Sequence, residues 1–63
     1  MANIILELIK KEGETNPTQI YIIGKAFDYF AEDVTYEDID KTFAYLYEMD
    51  KIEQVGNVNY RVA

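Results

Sequence analysis

The stretch TYEDIDKTFAYLYEMDKIEQVGNVNYRV, from Thr35 to Val62, decides the fold. Its first half repeats apolar residues at helical spacing: Ile39, Phe43 and Leu46 fall on one side of a wheel turned 100° per residue. Thr35 opens this helix. Glu37, Asp38 and Asp40 lie in its first two turns, where acids suit the positive pole of the helix dipole. The spacing predicts a helix over about 36–50. The second half changes period. Ile52 to Val55, then Gly56-Asn57, then Val58 to Val62 reads as a β-hairpin over about 52–62, because Gly56 accepts the positive φ that a two-residue primed turn requires. That register sets Val55 against Val58 and Glu53 against Tyr60. It leaves Ile52 on the face opposite Val58, Tyr60 and Val62, or packed at the helix–strand junction.

Upstream, two more helices are predicted. Ile4, Ile5, Leu8 and Ile9 follow helical spacing over about 3–12. Gly13 supplies a left-handed end, and Lys10 and Lys11 sit near the negative pole. Asn16 is a good N-cap, Pro17 suits the first helical position, and Gln19 stands where a capping box places Glu or Gln. A helix over about 17–31 follows, with Ile20, Ile23, Phe27 and Phe30 as its stripe. Gly24 beside that stripe would let another helix come close. The link from about Glu32 to Thr35 is short, which makes the second and third helices neighbours.

This order, three helices and a C-terminal hairpin, resembles the winged helix-turn-helix superfamily. The stretch from Thr35 to Val62 carries most of the likeness, and the fold expected is a small, mainly α, single domain over residues 1–63. A first short strand between helices one and two could occupy only a residue or two near Glu14–Asn16. The resemblance implies nucleic-acid binding, with the third helix in the major groove and the hairpin wing on the backbone. Function must still be argued from the surface.

The charges oppose that implication. The chain has 63 residues, 12 acidic side chains and 6 basic ones, net −6. Residues 1–27 balance Glu7, Glu12 and Glu14 against Lys10, Lys11 and Lys25. Residues 28–53 set Asp28, Glu32, Asp33, Glu37, Asp38, Asp40, Glu48, Asp50 and Glu53 against Lys41 and Lys51. Arg61 is the one charge beyond them. Affinity for nucleic acid comes largely from Lys and Arg on phosphates. With Ile39, Phe43 and Leu46 inward, the third helix shows Glu37, Lys41, Ala44, Tyr45 and Glu48 outward, with Asp38 and Asp40 on its flanks. Glu37 and Lys41, four apart, are spaced to pair. Only Lys41, Lys51 and Arg61 would serve a DNA-binding role.

The expected function is therefore a non-catalytic module that binds a protein with a basic surface, using Glu37, Asp38, Asp40, Lys41, Tyr45 and Glu48. One form is an inhibitor that presents a nucleic-acid-like array of carboxylates. A solvated, solubilising face is the plain alternative. A dimeric DNA-binding transcriptional regulator is the other functional reading. Ile22, Ala26 and Tyr29 form a second apolar strip on helix two, which suggests a homodimer or a docking partner. Six tyrosines suit protein interfaces, and Tyr45 is the outward anchor.

The missing residues exclude chemistry. There is no Cys, His, Ser or Trp, so zinc sites and standard nucleophile–base pairs are out. Asp33, Thr35, Glu37 and Asp40 hint at a calcium loop, but no Gly provides its sharp turn and the segment continues as a helix. No enzyme activity, cofactor or metal is expected. Apolar runs such as Ile20 to Gly24 are far below the roughly 20 residues that span a bilayer. The start Met1-Ala2-Asn3 lacks a basic leader, so a cytoplasmic location is expected.

Overall fold

A computed structural model describes all 63 residues. Helix α1 spans Ala2–Glu12, α2 Pro17–Ala26 and α3 Tyr36–Glu48; strands β1, Ile52–Val55, and β2, Asn59–Val62, form an antiparallel hairpin. This mainly helical order is compatible with a winged-helix architecture. No helix is long and apolar enough to cross a membrane.

Each helix starts and stops for local reasons. Gly13, at φ 84°, ends α1 and its N–H reaches the Ile9 carbonyl. At α2, Pro17 occupies the first turn and the Asn16 side-chain oxygen accepts the Gln19 N–H at 3.0 Å; Gln19 makes no return bond. A full capping box opens α3. The Asp38 N–H donates to the Thr35 hydroxyl at 3.2 Å, and the Thr35 N–H donates to the Asp38 carboxylate at 2.9 Å.

The helix ends differ from the sequence expectation. Helix α2 stops at Ala26 rather than near 31, and α3 at Glu48 rather than 50. Both use the same device. Asp28 and Asp50 each adopt φ 59°. The following N–H then turns back, Tyr29 to the Gly24 carbonyl and Lys51 to the Leu46 carbonyl, both at 2.9 Å. This is a Schellman closure with aspartate in the left-handed position glycine usually takes. The connection to α3 therefore covers residues 27–35, longer than expected. Phe27 leaves the buried stripe and is 66 % exposed. The Phe30 ring folds back over Gly24 instead. A Cβ on Gly24 would sit 1.9 Å from that ring. The small residue thus admits an aromatic ring, not a neighbouring helix.

The core is one cluster of Ile5, Leu8, Ile9, Ile20, Ile39, Phe43, Leu46 and Ile52. The hairpin joins it through Tyr60, whose ring meets Phe43 edge-on at 5.4 Å and Tyr47 at 6.1 Å. The register is Ile52 with Val62, Glu53 with Arg61, Gln54 with Tyr60 and Val55 with Asn59. The loop is thus Gly56-Asn57-Val58, three residues rather than two. The extra residue brings Tyr60 and Val62 onto the face of Ile52, which removes the conflict of the two-residue register. Val58 leaves the strand and stands 65 % exposed at the loop. A third strand is reduced to one bridge: the Thr15 N–H donates to the Tyr60 carbonyl at 2.9 Å, and the Tyr60 N–H returns to the Thr15 carbonyl at 2.6 Å. Asn16 reinforces it, donating from its amide to the Asn59 side-chain oxygen at 2.9 Å.

Candidate functional site

Burying Ile39, Phe43 and Leu46 turns the other side of α3 to solvent. Glu37, Asp40, Lys41, Ala44, Tyr45 and Glu48 are all exposed, and Tyr45 presents 55 % of its surface. Lys41 pairs with Glu37 at 3.0 Å, both side chains largely in water. Such a pair adds little stability, but it cancels the one cation on the face. Asp38 is half-buried and turned to the helix start. The Thr35 backbone N–H, then the Thr35 hydroxyl, hold its carboxyl below the ordinary aspartate value; Lys41 adds a smaller pull the same way and desolvation opposes. It contributes charge to the face but spends its acceptor on the cap.

The two ends of this face run into hollows. Asp40 lines one of about 460 Å³ with Pro17, Thr18, Gln19, Tyr36 and Val58, between the start of α2, α3 and the hairpin loop. Thr18 and Tyr36 touch there through their hydroxyls at 3.4 Å. Sequence reading missed this hollow, because only the three-residue loop places Val58 beside α2. Glu48 lines a second hollow, about 630 Å³, with Tyr47, Asp50, Glu53 and Gln54. The hollow gathers three carboxylates, Glu48, Asp50 and Glu53, from α3, its exit turn and the hairpin. No group of three or more acidic side chains is placed to hold a metal ion.

The cations assigned to DNA binding are dispersed. Arg61 donates to Glu53 at 2.9 Å across the hairpin, a pair that the register sets directly opposite. Lys41 is tied to Glu37. Of these three cations, only Lys51 makes no ion pair. Elsewhere, Lys10 holds Glu7 at 3.3 Å, and Lys25 donates to the Glu32 carbonyl at 3.0 Å while lying 5.6 Å from the Tyr21 ring centre.

Ile22, Ala26 and Tyr29 are all exposed, but only Ile22 and Ala26 belong to α2. The helix ends at Ala26, so Tyr29 sits in the following turn, stacked on Phe27 at 5.8 Å and lining a groove with Ile4 and Leu8 of α1. No family model matches this chain, and neither a curated protein nor a solved structure matches it.

Proposed function

We propose that the chain is a non-catalytic, acidic winged-helix module that binds a protein with a basic surface through the outward face of α3. The Thr15–Tyr60 bridge supports the winged-helix part, since it adds a vestigial third strand to the hairpin. The observation that carries the binding part is the neutralisation of the cations. Lys41 and Arg61 are engaged by Glu37 and Glu53, which leaves Lys51 as the one unpaired cation of the three, while Asp40, Glu48 and Asp50 make no ion pair. A phosphate-lined groove repels such a face, and a Lys- or Arg-rich protein attracts it. Tyr45 supplies aromatic area with a polar tip at the centre of the face. An inhibitor that mimics the charge of a nucleic acid is the sharpest form of this reading.

The test is a pair of titrations at low and moderate salt, one against a Lys/Arg-rich synthetic peptide and one against mixed-sequence duplex DNA. The peptide should bind, less tightly as salt rises, and Tyr45→Ala should weaken it. DNA should bind only after Glu37, Asp40 and Glu48 are all replaced by Lys. Micromolar, salt-sensitive DNA binding by the unaltered chain would overturn the proposal and favour a DNA-binding regulator.

A further inference from the structure

We propose that the face made by α1 and the turn after α2 is where a second copy of this chain docks. The face holds an apolar groove of about 460 Å³ lined by Ile4, Leu8 and Tyr29, with Glu7 and Lys11 at its rim. Phe27 extends it by stacking on Tyr29. Ile4 is 46 % exposed and Phe27 66 %. A surface helix and its neighbouring turn normally keep such groups covered.

Charge selects the occupant. Each copy carries −6, and the excess lies in residues 28–53. Two copies repel through α3 and the hairpin side, but residues 1–27 are balanced. The rim is also self-complementary. Glu7 is held loosely by Lys10 at 3.3 Å, with both side chains mostly in water, and Lys11 has no ion-pair partner within the chain. A twofold axis makes contacts reciprocal. An antiparallel crossing of two α1 helices centred near Glu7 and Leu8 brings Lys11 within a helical turn of Glu7 of the partner subunit, twice over. Ile4 and Tyr29 then close on each other's grooves. The domain gains from this, since only eight apolar side chains form its core and small domains commonly supplement their cores by association. The dimer is weak. Standard interfaces bury about 800 Å² per partner, roughly a fifth of the 4273 Å² surface, and an 11-residue helix, about 16 Å long, offers less.

This inference stands apart from the α3 reading, since it uses a charge-balanced face and other residues. Sedimentation velocity from micromolar to millimolar concentration tests it. The unaltered chain should show a reversible monomer–dimer equilibrium. Ile4→Glu and, separately, Lys11→Glu should each raise the dissociation constant about tenfold or more. The swap Glu7→Lys with Lys11→Glu should restore it, which a merely unfolded variant could not do. Ile22→Glu, on the outer side of α2, should leave it unchanged, and Ile4→Glu should bind the basic peptide as before. A monomer at millimolar concentration would overturn the inference. So would dimers indifferent to Ile4→Glu and Lys11→Glu, or a swap that fails to recover association while the variant remains folded.

Discussion

At the scale of single residues, Gly24 shows how one missing methyl group organises the chain around it. A glycine inside a helix normally weakens it by about 1 kcal/mol relative to alanine, so by propensity alone Gly24→Ala ought to stabilise α2, but Gly24 is buried. Here the new Cβ would lie inside the Phe30 ring, 1.9 Å from its nearest atom. The ring must leave, and Phe30 is one of the half-buried groups packed on the core. We expect Gly24→Ala to lower stability by about 1–3 kcal/mol, the usual cost of overpacking, in a urea titration. Adding Phe30→Ala should make the alanine at 24 neutral or favourable relative to Phe30→Ala alone. If Gly24→Ala stabilises the otherwise unaltered chain, the ring does not rest where the structure puts it.

At the scale of elements, the start of α3 makes stability respond to acid. Thr35 lowers the pKa of Asp38 in the folded chain. Between the folded and unfolded values the unfolded chain binds the proton more readily, so stability rises with pH there. The contribution is complete above the unfolded value, about pH 4, and disappears as pH falls through the folded one. Asp38→Asn keeps an acceptor for the Thr35 N–H but has no charge to titrate. Its thermal midpoint should fall below that of the unaltered chain at neutral pH, and the gap should close as the solution is acidified toward pH 2; a gap constant across that range would rule out the charge as its cause. The same helix shows what could be read from the sequence. Thr35 and the Ile39–Phe43–Leu46 stripe marked its start and its buried side, and the outward placing of Glu37, Lys41, Tyr45 and Glu48 follows from them. The Asn16-Pro17 start of α2 and the Gly13 end of α1 were equally plain. The ends of α2 and α3 were hidden, because Asp28 and Asp50 stop them with a conformation expected of glycine, and Phe27 and Phe30 continue the helical period past the true end. The hairpin loop was hidden too. Gly56-Asn57 is a good two-residue turn by local preference, but burying Ile52, Tyr60 and Val62 on one face demands a third residue. The hollow beside Asp40 depends on that loop, so no local pattern announces it.

At the scale of the whole molecule, the acidic excess acts on the fold as well as on its partners. Nine of the twelve carboxylates lie in residues 28–53, and Glu48 stands in the last turn of α3, where no basic residue offsets the negative pole. The ion pairs present are exposed ones, each worth little. Repulsion among the unpaired carboxylates should therefore outweigh attraction. Its range is set by the Debye length, about 30 Å at 0.01 M salt and about 8 Å at 0.15 M, against a molecule 28 Å in its longest dimension. At the lower salt every carboxylate feels every other; at the higher only neighbours do. Added sodium chloride should thus raise the thermal midpoint over this range, with chain concentration fixed so that self-association does not contribute. Glu48→Lys should raise the midpoint at low salt, the helix pole alone adding about 0.3–1 kcal/mol of stability, and should flatten the salt dependence, because it changes the net charge by two units toward neutrality. A midpoint that falls with salt would mean that the three pairs outweigh the repulsion, and the acidic face of α3 would then be a balanced surface with no preference for a basic partner.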